Sequence, residues 1–112
     1  MALTFDEYQH LAARTINRRL TTADILRHGL FGLAAEAGEV CGIYQKAYQG
    51  HVPTDDQLIK EIGDCLWMLA EICTARDIPF GDVAQINIDK LKARYPAGFD
   101  TERSLHRKEG DA

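Results

Sequence analysis

Two pairs of carboxylates are the part of this sequence best suited to chemistry. Glu36 and Glu39 form the first pair, and Glu61 and Asp64 form the second. The members of each pair are three residues apart in an apolar segment with helical spacing, so both side chains lie on one face of a helix. The intervening chain can complete one helix, turn near residues 50–54 and run back antiparallel. We therefore expect the four carboxylates to converge.

Carboxylates that converge in a half-buried setting repel one another, and protonation, basic partners or a hard divalent cation relieve the repulsion. One such pair alone is common on a solvated helix face, but here both pairs interrupt strongly apolar segments. Oxygen-only ligation favours Mg²⁺, with Mn²⁺ as a substitute, over zinc or copper. None of the four acids is followed by His at the third position, which argues against a di-iron site. We predict a magnesium site formed by Glu36, Glu39, Glu61 and Asp64.

Basic and amide side chains suited to phosphate follow later in the chain. Asn87, Lys90 and Arg94 are spaced i, i+3 and i+7 on one helix face, and such groups bind phosphate oxygens. The alternative is a helix end whose cations interact with the helix dipole. Lys46 lies seven residues after Glu39 on the same face, and we interpret it as a phosphate-binding residue or an outer neighbour of the metal site.

Four helices are predicted to position these groups, over about residues 5–19, 23–49, 55–75 and 80–94. Capping boxes at Thr4 to Glu7 and Thr54 to Gln57 mark the starts of the first and third helices. In the first helix, Gln9 is interpreted as a solvated edge position. We expect an all-α bundle in residues 1–99 and a charged C-terminal tail, residues 100–112, that is mobile or ordered only against a partner.

The second helix contains four glycines, each of which costs up to about 1 kcal/mol relative to Ala. Close approach of a neighbouring backbone or of a ligand would compensate for that cost. Small residues recur three or four apart and predict a groove; they are Gly32, Ala35, Gly38 and Gly42.

The third helix is apolar on nearly every side, so it needs cover on every side. Three other helices of this size are too few to supply it. We therefore expect the four-helix bundle to complete its core by forming a homodimer or tetramer, using the second half of the third helix. Trp67 and Met68 in that helix are either core residues or the wall of a base pocket.

The whole chain has 112 residues and a net charge of −4, which indicates one domain and argues against binding of a nucleic acid polymer. No apolar run reaches the roughly 20 residues of a membrane span, and no signal peptide is evident, so we expect a cytoplasmic protein without membrane contact. The three cysteines form no CxxC pair and are interpreted as small core residues.

Three segments together resemble the MazG-like family of all-α nucleoside triphosphate pyrophosphohydrolases. They are residues 32–40, residues 61–67 and residues 87–96, with the ExxE and ExxD pairs in matching order and spacing. The resemblance implies Mg²⁺-dependent cleavage of a (d)NTP to (d)NMP and pyrophosphate, as in house-cleaning of the nucleotide pool. Many relatives have a double acid where this chain has Ala35 before Glu36, which leaves the number of metal ions open.

In the mechanism that we expect, Glu36 or Glu39 accepts the proton of the attacking water, and Lys90 and Arg94 stabilise the departing pyrophosphate. The alternative is a non-catalytic helical dimer that binds nucleotide and metal in a regulatory role. A third hypothesis is a purely structural helical module. The base and the sugar of the substrate remain open at this point.

Overall fold

The computed structural model describes residues 2–107, and within that range the chain is all-helical, as predicted. The helices are α1 (Phe5–Ala12), α2 (Thr22–Ala47), α3 (Asp55–Ala75), α4 (Phe80–Arg94) and the short α5 (Thr101–Leu105). A 3₁₀ helix, Ala13–Thr15, continues α1. The bounds of α3 and α4 agree with the prediction. None of the described helices is long and apolar enough to cross a membrane.

The first helix is shorter than predicted because side chains near its end form local hydrogen bonds that compete with the helix. Thr15 Oγ1 donates to the carbonyl of Ala12 at 2.7 Å, and Asn17 Oδ1 accepts from the backbone of Arg19 at 3.1 Å. Ile16 has extended backbone angles and is nevertheless buried. The apolar spacing thus identified a core residue correctly, although the backbone there is not helical.

Threonine caps determine where three helices begin. Thr4 and Glu7 form the predicted capping box, and Thr54 and Gln57 form the other. Thr21 accepts from the backbone N–H of Asp24 at 3.1 Å and caps α2. These caps satisfy backbone N–H groups that have no partner inside the helix.

The predicted tail contains an element that was not expected. Asp100 accepts from the backbone N–H groups of Glu102 and Arg103 and so caps α5. Residues 108–112 lie outside the described part of the chain, so the predicted mobility of the tail is not tested there.

The antiparallel hairpin of α2 and α3 is the largest packing unit of the fold. Gly29 lies against Ile72, and Gly32 lies against Met68. A Cβ atom at Gly29 would come within 2.9 Å of Ile72 Cγ1, and one at Gly32 would overlap Met68 Sδ. The predicted close approach at α2 glycines is therefore present in this half of the hairpin.

The small helix α1 joins the hairpin to α4, and Gln9 makes the connection. Its Nε2 atom donates to the carbonyl of Ile78 at 2.9 Å and to Thr74 Oγ1 at 3.3 Å. Its Oε1 atom accepts from the backbone N–H of Phe80 at 2.8 Å. The interpretation of Gln9 as a solvated edge position is wrong, because both ends of its amide hold the α3–α4 turn.

The hydrophobic core lies beside Gln9. It contains Ala70, Cys73 and Phe80, with Tyr8 and Leu66 packed against them.

Large apolar side chains remain exposed on several helices. The second half of α3 is mostly covered within the chain, because Met68, Ala70, Glu71 and Cys73 are buried there. Leu69 is the large apolar side chain of that half which is exposed among the described residues. The exposed apolar residues on α2, α3 and α4 include Leu30, Phe31, Ile59, Ile62, Leu69, Val83, Ile86, Ile88 and Leu91.

The three cysteines differ in their surroundings. Cys73 is buried, as expected of a core residue, whereas Cys65 is half-buried and Cys41 is exposed. The core interpretation is therefore wrong for Cys41, and all three thiols are free.

Candidate metal centre

Three of the four predicted acids meet between α2 and α3. Glu36, Glu61 and Asp64 each offer one carboxylate oxygen, and these oxygens all lie within 4.8 Å of one another. All three residues are half-buried. We call this group the acid cluster.

The glycine contacts explain why these acids face one another. Gly32 on α2 lies against Met68 on α3. One helical turn closer to the α2–α3 turn, α2 carries Glu36 and α3 carries Asp64. Close packing at Gly32 therefore sets the register that brings the acids together. Glu61, one turn before Asp64, completes the group.

Glu39 is the predicted ligand that stands apart from the acid cluster. It is exposed, and with Glu61 it lines a cleft on the side of the cluster nearer the α2–α3 turn. It is still near enough to contribute to the electrostatics of Glu36. Glu39 therefore has a carboxylate beside the group and not inside it.

The electrostatics of the cluster are those of an uncompensated group of acids. Burial raises the pKa of Glu36 above its ordinary value of 4.5, and the charges of Asp64, Glu61 and Glu39 raise that pKa further. Among the described residues, every charge that shifts this pKa is a carboxylate. No basic side chain in residues 2–107 thus relieves the repulsion at Glu36, and protonation or a cation can relieve it instead.

The donor set fits a hard divalent cation. It consists of carboxylate oxygens, which Mg²⁺ and Mn²⁺ prefer, and it contains no imidazole ligand. Cys65 lies beside the cluster, but its pKa is raised by burial and then by Glu36, Asp64 and Glu61. Burial and the neighbouring carboxylates thus disfavour the thiolate of Cys65, the form that binds metals.

Tyr8 is a neighbour of the cluster that the sequence did not identify as such. Burial raises the pKa of its phenol, and the charge of Asp64 raises that pKa further. Tyr8 belongs to the apolar stripe of α1, which packs against α3. Its spacing indicated a core position, but only the packing of α1 reveals which acid it approaches.

The predicted phosphate-binding residues lie in two different places. Lys46 lines the cleft that Glu39 and Glu61 also line. Asn87, Lys90 and Arg94 lie on α4, which packs principally against α1. Within residues 2–107, the principal packing partner of the helix that carries this stripe is therefore α1 and not the α2–α3 hairpin.

A buried acid that the sequence analysis missed lies in the other half of the hairpin. Glu71 is 5% exposed, and its Oε2 atom is 2.6 Å from Nδ1 of His28. Its position seven residues after Asp64, on the same helix face, was the available signal.

Trp67 and Met68 both have places in the packing of the chain itself. Trp67 Nε1 donates to Thr15 Oγ1 at 2.8 Å, and Met68 is buried against Gly32. Met68 is therefore a core residue, one of the two roles considered for it.

Comparison with known proteins identifies the family of this chain. A family model described as the MazG nucleotide pyrophosphohydrolase domain matches residues 27–99. The Gene 37 protein of Mycobacterium phage L5 is 31% identical over 78 residues, which cover 65% of this chain and 68% of the phage protein. No solved structure matches the chain significantly. The matched region contains both carboxylate pairs and the α4 stripe, and the chain therefore belongs to the family of MazG nucleotide pyrophosphohydrolase domains.

Proposed function

We propose that this protein is a Mg²⁺-dependent nucleoside triphosphate pyrophosphohydrolase that converts a (d)NTP and water to a (d)NMP and pyrophosphate. Membership of the family supports the reaction class. The observation that carries the proposal is the approach of Glu36, Glu61 and Asp64 to within 4.8 Å in a half-buried setting, where no basic group among residues 2–107 shifts the pKa of Glu36. Removal of unwanted nucleotides from the cellular pool is the proposed role.

Glu36, Glu61 and Asp64, with Glu39 beside them, would hold the Mg²⁺, for which Mn²⁺ is a substitute. The bound ion supplies charge neutralisation for the triphosphate and a lower pKa for the attacking water. The carboxylates position that site, and their half-buried setting limits competition from bulk water.

Glu39 is the residue that we propose as general base, one of the two acids considered from the sequence. It is exposed and lies outside the acid cluster, so its carboxylate oxygen is available to accept a proton. The water oxygen attacks the α-phosphorus, and the water proton moves to Glu39. The bond between the α-phosphorus and the oxygen that bridges to the β-phosphorus then breaks. The electron pair of that bond leaves with pyrophosphate.

Lys46 is proposed to bind phosphate from the cleft, and Asn87, Lys90 and Arg94 are proposed to stabilise the pyrophosphate from α4. Because α4 packs principally against α1, assembly with a second chain is the step that would bring this stripe to an acid cluster.

A homodimer or tetramer is part of the proposal. Exposed apolar side chains on α4 and on the first half of α3 support it, among them Ile86 at 66% exposure and Ile59 at 67%. Light scattering at micromolar concentration tests it, and a monomeric mass contradicts it.

The hydrolase proposal is tested by measuring pyrophosphate release from canonical and damaged nucleoside triphosphates with and without Mg²⁺. We expect Mg²⁺-dependent release, and a loss of at least about 100-fold in Glu61→Gln. The matched control is Asp55→Asn, which removes an exposed carboxylate from the first turn of the same helix and should retain activity.

Near wild-type turnover in Glu61→Gln contradicts the assignment of the metal ligands. If Mg²⁺ and a nucleotide raise the melting temperature of the wild type without any pyrophosphate release, the regulatory alternative replaces the hydrolase.

A further inference from the structure

A cleft of about 200 Å³ opens beside the acid cluster, toward the α2–α3 turn. We call it the turn-end cleft. It contains side chains from both helices and from the turn. The lining residues that matter here are Glu39, Gly42, Lys46, His51, Gln57 and Glu61.

Local sequence explains how the cleft forms. Glu39, Gly42 and Lys46 are spaced i, i+3 and i+7, so they share one face of α2. Gly42 adds no side chain, and a Cβ atom there would have no neighbour within 4 Å. The α2 face is therefore open along this stretch, in contrast to its closed contact at Gly32.

The turn holds His51 at the end of α2. Gly50 has a φ of +95°, a left-handed conformation that favours glycine. The backbone N–H of His51 then donates to the carbonyl of Lys46 at 3.2 Å, and that of Gly50 donates to Ala47 at 3.1 Å. These bonds return the chain toward the helix end and place His51 on the cleft wall.

The basic side chains of the cleft are available to a ligand. Within residues 2–107, neither Lys46 nor His51 has a side-chain hydrogen bond or an ion pair. Lys60, on the neighbouring helix, is instead paired with Asp56 at 3.0 Å. The turn-end cleft thus offers two basic groups, and Gln57 adds an amide.

The opposite end of the hairpin has different chemistry. Beyond the acid cluster, Met68 lies against Gly32 and Ile72 lies against Gly29. The imidazole there belongs to His28, which is already bonded to the buried Glu71. That end is therefore mainly apolar, and its histidine is occupied.

On the basis of the proposed hydrolase function, we propose that the turn-end cleft binds the pyrophosphate half of the nucleotide through His51 and Lys46, so that the nucleoside lies on the side of the acid cluster away from the α2–α3 turn. Pyrophosphate carries most of the negative charge of a triphosphate and needs cationic donors. The nucleoside has less charge and presents an apolar face. The asymmetry of the hairpin matches this asymmetry of the substrate.

Glu39 and Glu61 also line the cleft, and their charges oppose those of a bare phosphate. The ligand that fits is therefore pyrophosphate together with Mg²⁺, bound by basic groups at its far end. His51 is the new residue in this assignment, and it binds the leaving group directly.

Calorimetric binding of inorganic pyrophosphate in the presence of Mg²⁺ tests the orientation without requiring turnover. We expect His51→Ala and Lys46→Ala each to weaken binding by about tenfold, the effect of one hydrogen bond to a charged group. Lys46→Arg should retain most of the affinity. Lys60→Ala is the matched control, since it removes a cation from the same hairpin outside the cleft, and it should bind as the wild type does.

The same variants are titrated with dAMP, dCMP, dGMP and dTMP, each with Mg²⁺. Unchanged affinity for the monophosphates supports the orientation. Weaker monophosphate binding with unchanged pyrophosphate binding reverses it, and unchanged binding of both overturns any role for the cleft. A wild type that binds pyrophosphate through His51 but hydrolyses no triphosphate contradicts the hydrolase function and leaves the cleft assignment in place.

Discussion

The two halves of the α2–α3 hairpin use the same residue type for opposite purposes. In the half near the start of α2, Gly29 and Gly32 lie directly against Ile72 and Met68. In the half near the turn, Cβ atoms at Gly38 and Gly42 would have no neighbour within 4 Å. Absence of a side chain thus allows close helix packing at one end and leaves an open face at the other. The predicted groove of small residues is closed at Gly32 and open at Gly38 and Gly42.

The acids of the two halves show the same contrast. Glu71 is buried in the packed half and has His28 as its partner at 2.6 Å. Glu36 is half-buried in the open half, where burial and three other carboxylates raise its pKa. The packed half therefore pairs its acid with an imidazole, whereas in the open half the charges from residues 2–107 that act on Glu36 are those of other acids. Such groups of like charge cost stability and are typical of functional sites.

Replacing one glycine by alanine in each half of the hairpin should give the largest difference in folding stability between the two halves. Gly29→Ala should destabilise the fold by about 1–3 kcal/mol, because its Cβ would lie 2.9 Å from Ile72 Cγ1 and 3.3 Å from the Ile72 backbone nitrogen. Gly38→Ala should stabilise it by roughly 0.5–1 kcal/mol through helix propensity. Urea unfolding without metal measures both, and shifts of the same sign would contradict the comparison.

Removal of the partner of Glu71 should have the next largest effect. His28→Ala leaves a buried carboxyl group without its hydrogen bond, which should cost about 1–2 kcal/mol, since the imidazole itself is more than half exposed. His10→Ala, an exposed position on α1, is the matched control and should change stability by less than about 0.5 kcal/mol. Equal unfolding midpoints for the two variants would show that the pair contributes nothing.

Removal of a charge from the acid cluster should change the stability by less than His28→Ala does, and it should stabilise the metal-free protein. The pKa of Glu36 is raised in the folded state, so the folded protein holds its proton more tightly than the unfolded chain does. Without metal, stability should therefore fall as the pH rises from the ordinary carboxyl pKa of 4.5 through the raised pKa of Glu36. Glu36→Gln should remove that loss, so its melting temperature should exceed that of the wild type above this pH window and equal it below.

Magnesium should reverse the order of those two melting temperatures. The wild type should gain stability with added Mg²⁺, whereas Glu36→Gln, which lacks one proposed ligand, should gain less. Asp55→Asn serves as the control for nonspecific charge effects on α3. A variant that responds to Mg²⁺ as strongly as the wild type does would remove Glu36 from the metal site.

Features that depend on a few neighbouring residues could be predicted from the sequence. The capping boxes at Thr4 and Thr54, the bounds of α3 and α4, and the helical placement of both carboxylate pairs all agree with expectation. Hydrogen bonds between residues three or four apart and the helical repeat determine these features, and both are contained in the local sequence.

Tertiary structure decided what each local feature meets. The amide of Gln9 holds the α3–α4 turn 65 or more residues away, and Glu71 finds His28 on another helix. Gly32 is in close contact with Met68, whereas a Cβ atom at Gly38 would have no neighbour within 4 Å, although both are glycines within α2. Helix periodicity gives the face on which a residue lies but not the element opposite it. The helix register and the docking of α1 determine that partner, because long-range packing, not local preference, selects one arrangement.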